Sequence, residues 1–305
     1  MEQEDMNSID KILRENGYIA EGLLGEGSFG KVYLVKDRRG EHYACKTAVK
    51  PGDRRLLLRE AEIQKSLKHP LFPAYWTLID TENHTFLIME YVKGISLKKR
   101  IGERSGEEES VFIRQQALCI TSALAEGLQY LHDRPDPVLY RDLKAEHVIL
   151  SEDGQVRLID LGCACPMSQA AATRAGTRGY APPEQLNPDS QAVQGPYSDV
   201  YALGCLIHYM LTGADPCLPP YTKPGIRCYD KTYDLRLEYL IEQCMAADHR
   251  KRIQDIRTLK NRLDEISHTR GMRRLCGETA AYYTWIRFGK IWESDFVYEK
   301  NICRY

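Results

Sequence analysis

Short runs of β-branched and aromatic residues at 18–24, 31–36 and 42–48, parted by glycines or charged turns, predict a small antiparallel sheet. Residues 54–67 break that rhythm, with apolar positions at 56, 57, 58, 61, 63 and 67, the spacing of a helix face. Two more strand-like runs follow at 75–79 and 85–92, and a polar lead at 7–16 reads as a helix. From about residue 94 the pattern turns helical, with helices predicted at 109–132, 197–212, 234–247 and 255–268. The boundary is expected at Val92-Lys93-Gly94. The fold class is α+β, divided into a lead at 1–17, a small lobe at 18–92, a larger lobe at 93–268 and an extension at 269–305. That extension carries eight aromatics from Tyr282 to Tyr305, expected to cap an apolar face of the larger lobe rather than form a ligand box.

One hairpin in the helical part bears on chemistry. Val148-Ile149-Leu150 and Val156-Arg157-Leu158-Ile159 are apolar strands joined by the turn Ser151-Glu152-Asp153-Gly154. Asp142 precedes this hairpin and Asp160 follows it, eighteen positions apart. Hairpin ends lie close together, so the loops carrying these carboxylates can face one site. They look like the catalytic and metal-binding acids of a phosphoryl-transfer enzyme. In the first sheet, Gly25-Glu26-Gly27-Ser28-Phe29-Gly30-Lys31-Val32 joins two predicted strands, where glycines let the backbone approach phosphates with its amides toward the anion. A strand follows these glycines, not the helix of a dinucleotide-binding turn, and taken alone the pattern fits a plain tight turn equally well. Lys46 ends the strand Tyr43-Ala44-Cys45-Lys46, where it can act as a point charge for phosphate oxygens; a solvated lysine is the bland alternative. Glu60 on the following helix is its candidate partner, with Glu62 as the alternative.

Composition narrows the function classes. At 305 residues and 43% hydrophobic content the chain can bury a sizeable core. Lys and Arg total 42 against 43 Asp and Glu, so no global field draws in nucleic acid or an anionic membrane. No apolar stretch reaches the roughly 18–20 residues that span a bilayer, and Met1-Glu-Gln-Glu-Asp is acidic where a signal peptide is basic. The expected location is cytoplasmic, with no nucleic-acid or membrane partner. Ten cysteines are scattered without a Cys-x-x-Cys pair, which favours reduced thiols over a zinc site.

In order and spacing, these elements resemble the signature set of the eukaryotic-type protein kinase family. Gly25, Gly27, Gly30 and Val32 match its glycine-rich loop, Lys46 its strand-three lysine, and Glu60 the helix C partner of that lysine. Met89 matches the gatekeeper, and Glu90, Tyr91 and Val92 the hinge whose backbone takes adenine; Ala44 and Ile149 complete the implied nucleotide-binding set. Asp142 matches the catalytic aspartate and Asp160, opening Asp160-Leu161-Gly162, the metal-binding one. Lys144 resembles the lysine that holds the transferring phosphate in Ser/Thr-specific members, and Thr177 the threonine that bonds catalytic aspartate and lysine there. Gly179-Tyr180-Ala181-Pro182-Pro183-Glu184 matches the end of the activation segment, Asp199 the helix F aspartate, and Arg252 the partner of Glu184. The wording from Gly176 to Gln185 resembles the bacterial members more than the animal ones.

Over about residues 18–268 this resemblance implies a two-lobed kinase fold, with a small antiparallel sheet lobe bearing helix C and a larger, mainly helical lobe. It implies ATP and Mg2+ as cofactors and phosphoryl transfer to Ser or Thr of protein substrates, with Asp142 accepting the hydroxyl proton. Arg141 beside Asp142 implies control by a phosphate in the activation segment, on Thr173 ahead of Ser168 or Thr177. Autophosphorylation through self-association would place it there.

The sequence also departs from the family. Tyr140 stands for His and Leu161 for Phe, both mild changes. Gln64, four residues after Glu60, takes an apolar position, so a less firmly docked helix C is expected. His147 stands for the Asn that binds a second magnesium, and imidazole suits Mn2+ better than a small hard cation. The alternative class is therefore a nucleotide-binding pseudokinase with weak or no transfer, against which Lys46, Asp142 and Asp160 are intact. Cys163, next to the Asp160 triplet, is expected to be inert.

Overall fold

The computed structural model of the chain describes residues 2–27, 30–48, 51–103, 107–172, 175–187, 193–219 and 221–267. The aromatic extension, Thr173 and the Ser28-Phe29 tip of the glycine turn lie outside the described residues. Two compact units succeed each other along the chain, the first ending at Lys93 and the second beginning at Gly94.

The first unit opens with α1 (Glu2–Glu15), followed by β1 (Tyr18–Gly27), β2 (Gly30–Asp37), β3 (His42–Thr47), α2 (Pro51–Lys65), β4 (Tyr75–Asp80) and β5 (Thr85–Glu90). All pairings are antiparallel, in the order β1-β2-β3-β5-β4. Period-two alternation along β3 divides its side chains between the two faces. Cys45 packs with Tyr33, Val35, Phe86 and Ile88, a cluster closed by Ile9 and Leu13 of α1. Lys46 pairs in register with Val32 and Leu87 and belongs to the other face, where Leu57 and Ala61 of α2 cover Leu87. The alternation thus delivers a lysine to the α2 side of a sheet covered on both faces.

In the second unit, β6 (Gly94–Ser96), α3 (Leu97–Gly102), α4 (Glu107–His132), β7 (Val138–Leu139), β8 (Val148–Ser151), β9 (Val156–Leu158) and β10 (Cys165–Pro166) precede a 3-10 turn at Met167–Ala172. Then come α5 (Pro183–Leu186), α6 (Pro196–Thr212), α7 (Leu235–Cys244) and α8 (Ile256–Ser267). The unit is helical around α6, which is buried along almost its whole length and touches α4, α7 and α8. The two predicted helices at 234 and 255 begin one residue later, because Asp234 and Asp255 act as caps. Their Oδ1 atoms accept from Arg236 N at 2.8 Å and Thr258 N at 2.7 Å. β6, α3, β7, β10, the 3-10 turn and α5 are too short for a readable hydrophobic period, and the sequence pattern does not mark them. A sheet unit and a helical unit together give the α+β class that the pattern predicts. No helix among the described residues is long and apolar enough to cross a membrane.

The predicted hairpin is β8–β9, with Val148 opposite Leu158, and β6 adds to its outer edge with Gly94 opposite Ser151. A Cβ on Gly94 would strike the Leu150 carbonyl oxygen and lie 2.7 Å from Ser151 Cα. Gly94→Ala is therefore expected to lower the melting temperature by several degrees, from about 1–3 kcal/mol of overpacking. Thermal unfolding by circular dichroism checks this, and an unchanged midpoint would mean that β6 can shift at no cost.

Candidate active site

Within the first unit, Lys46 Nζ lies 2.7 Å from Glu60 Oε2 and 2.9 Å from Oε1, with the two residues 4% and 2% exposed. Glu62 faces solvent, so the helix carboxylate that meets the lysine is Glu60. Val32, Ala44, Lys46 and Met89 share one sheet face, because Val32 pairs with Lys46 and Ala44 with Met89. Gly25 pairs with Val32 after a register shift, and Gly27 with Gly30. Gly30 has φ 151°, and a Cβ there would land on the Thr47 carbonyl oxygen, so only glycine lets β2 run this close to β3. Glu90 closes β5 and accepts from Ala74 N through Oε2 at 2.9 Å; Val92 follows the strand end. Gln64 is buried and has partners for its amide. Its Nε2 donates to Pro73 O at 2.9 Å and faces Met89 Sδ at 3.4 Å, so directed bonds replace apolar packing.

In the second unit the backbone around Asp142 hangs on Asp199. That fully buried carboxylate accepts from Tyr140 N at 2.9 Å and Arg141 N at 2.8 Å, with His132 Nε2 at 2.8 Å. Arg141 adopts φ 70°, a left-handed conformation that only such fixed contacts sustain in a non-glycine residue. Asp142 Oδ1 then accepts from Thr177 Oγ1 at 2.7 Å, and Lys144 Nζ donates to the same hydroxyl at 3.2 Å. Asp142 Oδ2 is 3.3 Å from Lys144 Nζ.

The hairpin brings Asp160 to the same place. His147 O accepts from Ile159 N at 2.9 Å, and the Tyr140 hydroxyl donates to Ile159 O at 2.6 Å. Asp160, at φ 68°, turns back so that its Oδ1 accepts from Gly162 N at 2.9 Å while Oδ2 lies 3.5 Å from His147 Nε2. His147 Nδ1 is 3.0 Å from the backbone oxygen of Asp142. A carbonyl only accepts, so Nδ1 carries a proton, and Nε2 is the ring nitrogen beside Asp160. Ile149, buried in β8, pairs with Ser96 and Arg157. Leu161 is buried, and burial pushes the Cys163 thiol up to about 12, with the Asp142 and Asp160 charges adding to it. The thiol therefore stays protonated and weakly nucleophilic at neutral pH.

The Arg141 side chain reaches Gln194 and Cys165. Its Nε donates to Gln194 Oε1 at 2.9 Å and its Nη1 to Cys165 Sγ at 3.1 Å, while Gln194 Nε2 reaches Ala170 O at 3.1 Å in the 3-10 turn. Gln185 Nε2 donates to Arg141 O and Ala175 O. Behind them, Arg252 binds Glu184 at 2.6 Å and 3.2 Å, and Ser198 Oγ adds a third bond to that carboxylate at 3.0 Å. Gln194 carries no sequence signal that could have found it, since an isolated glutamine has neither period nor motif; Gln64 is marked only by its polarity at an apolar position and Gln185 only as the end of the run from Gly176.

Residues 18–263 match the family described as the protein kinase domain. The chain is 29% identical over 266 residues to the human cAMP-dependent protein kinase catalytic subunit PRKX, covering 82% of this chain and 70% of that protein. It is 33% identical over 249 residues to the human hormonally up-regulated neu tumor-associated kinase, covering 75% of this chain and 32% of that protein. With the mouse serine/threonine-protein kinase Nek5 it shares 31% over 202 residues, covering 64% of this chain and 30% of that protein. The aligned part is thus about a third of the length of the last two relatives.

Gln194→Ala takes an acceptor from a guanidinium that is 2% exposed, and it should cost about 1–3 kcal/mol of stability. Hydrogen exchange at 167–172 should rise with it, and Gln194→Glu should restore part of the stability by keeping the acceptor. Unchanged exchange in the Ala variant would show that the turn is held by other contacts.

Proposed function

The chain belongs to the protein kinase family, and on that premise we propose that it transfers the γ-phosphoryl group of ATP to serine or threonine hydroxyls of proteins. The observation that carries this reading is Thr177 Oγ1 bridging Asp142 Oδ1 and Lys144 Nζ at 2.7 Å and 3.2 Å. With Oδ1 held by Thr177, Asp142 Oδ2 takes the proton of the substrate hydroxyl as attack begins. Lys144, 3.3 Å from Oδ2, offers N–H groups to the transferring phosphoryl oxygens. Such groups act by position and electrostatics and need no covalent intermediate. In the first unit, Lys46 is oriented by Glu60 toward phosphate oxygens. Gly25, Gly27 and Gly30 let the backbone approach them, and Val32, Ala44, Met89, Glu90 and Val92 supply the base-binding face and edge. Autophosphorylation by transient self-association is part of this reading, and Ser168 in the activation segment is exposed.

Asp160 and His147 fit a divalent ion. Their facing atoms are 3.5 Å apart, and the Asp142 carbonyl takes the Nδ1 proton, the usual second contact of a ligating histidine, so Nε2 would be the metal ligand of the neutral ring. Among the described residues no third His, Cys, Asp or Glu joins them, so phosphate oxygens and water would complete the shell. Bound there, Mg2+ or Mn2+ would neutralise charge on the phosphates. The competing reading, a nucleotide-binding scaffold with weak transfer, rests on His147 alone.

Asp142→Asn is expected to lower transfer from labelled ATP to a generic protein substrate by about 10²–10⁴ with little change in melting temperature. Equal activity in the variant would remove the kinase assignment. Lys46→Met is a less clean test, because it leaves Glu60 buried without its cation at a cost of about 3–5 kcal/mol.

Turnover should be higher with Mn2+ than with Mg2+, since imidazole nitrogen suits manganese better. His147→Asn should raise the magnesium-supported rate tenfold or more, about 1.4 kcal/mol per factor of ten. If rate and metal preference both stay put, His147 is not a ligand.

A further inference from the structure

A hollow of about 230 Å³ opens in the second unit beside the segment that carries Thr177. Its lining includes Arg178, Pro183, Leu186, Tyr201, Tyr221 and Lys223. Small-molecule sites run to roughly 300–1,000 Å³, so this hollow suits a single side chain better than a nucleotide.

Two cations line it. The Arg178 guanidinium lies 5.5 Å from the Tyr221 ring centre and Lys223 Nζ lies 5.9 Å from that of Tyr201. Neither has a carboxylate within ion-pair distance among the described residues. Lys98 shows the contrast: it is 2.6 Å from Glu146 and 3.7 Å from Asp215. A cation held over an aromatic face keeps its outer N–H groups for an anion.

The walls are preorganised. Cys217 Sγ donates to Arg178 O at 3.2 Å, and Gly179, at φ 100°, presses so closely on Pro216 that a Cβ would strike the Pro216 carbonyl oxygen. Tyr221 holds φ 60°, a conformation with a cost of about 1–3 kcal/mol for a non-glycine residue, and it leaves its ring half exposed. Fixed walls lower the ordering cost of binding.

We propose that this hollow takes an acidic side chain of the protein substrate, close in sequence to the acceptor hydroxyl, with Arg178 and Lys223 as the residues that select it. The inference rests on the kinase reading for its location. Arg178 directly follows Thr177, whose hydroxyl holds Asp142 at 2.7 Å, so a peptide offering its hydroxyl to Asp142 has its neighbouring residues within reach of the hollow.

The test uses fluorescent peptides with a single serine and Glu, Gln or Lys at each flanking position in turn. Equilibrium binding is read by anisotropy and phosphorylation by label transfer. At one position the wild type should bind the Glu peptide about tenfold more tightly than the Lys peptide, a preference that fades as salt rises. Arg178→Glu/Lys223→Glu should reverse it. Arg178→Gln/Lys223→Gln, whose folding is checked by thermal unfolding, should abolish it. Equal binding of all three peptides at every position, or a preference that survives both variants, would overturn the inference. An acid preference in binding without phosphorylation of any peptide would sustain the hollow's role and count against the kinase reading instead.

Discussion

Asp199 is buried to 0% exposure, and a carboxylate taken out of water must be met by donors or become prohibitively costly. The donors it finds are the consecutive backbone amides of Tyr140 and Arg141, with His132 as a third partner. Two adjacent N–H groups can converge on one carboxylate only if the chain turns sharply, and Arg141 at φ 70° is that turn. Everything downstream inherits it. Asp142 emerges where Thr177 and Lys144 reach it, its carbonyl orients His147, and Tyr140 ties down the residue before Asp160. Asp160 repeats the device at φ 68°. Two left-handed non-glycine residues cost about 1–3 kcal/mol each, so the surrounding bonds set the geometry at some expense of stability.

The ionic contacts divide by what surrounds them. Arg252 is enclosed by Glu184, by the carbonyls of Tyr197 and Ala246, and by two tyrosine rings, with its side chain 0% exposed. Such a fork has its donors consumed by fixed acceptors, which suits a strut between α5 and the loop before α8. Lys46 is a point charge with rotatable donors next to a glycine-rich turn, the form suited to an anion that comes and goes. Desolvating either pair offsets most of its Coulomb gain, so both fix geometry more than they add stability. Arg141 differs again in that an amide and a thiol, those of Gln194 and Cys165, are among its acceptors.

Periodicity made the elements legible. β3 alternates so that Lys46 must leave the Cys45 face, and the helix at 54–67 has Glu60 on the side that meets it. The one ambiguity, Glu60 or Glu62, is settled by burial, which a helix pattern with acids two residues apart cannot resolve. Cap residues were read as first helical residues, because a cap shares the polarity of a helix start and differs only in backbone angle. Polarity at the buried Gln64 reads as a defect in the sequence, where its partners, Pro73 O and Met89 Sδ, leave no mark. The Gln194 clamp spans 53 positions to Arg141, and contacts of that separation leave no trace in local pattern.

Net charge, 42 basic against 43 acidic residues, is silent on recognition, and that silence locates selectivity. With no long-range field, charge discrimination must come from groups within the roughly 8 Å over which physiological salt leaves a field intact. Lys98 meets Glu146 and Asp215, Arg252 meets Glu184, and Lys46 meets Glu60. Arg178 and Lys223 rest on tyrosines instead, one residue and one hollow away from the threonine that holds Asp142. A pair so placed does little to speed encounter. Because its field is short, it acts only on a peptide already docked, where it discriminates between alignments by whether an acid falls into the hollow when a hydroxyl meets Asp142.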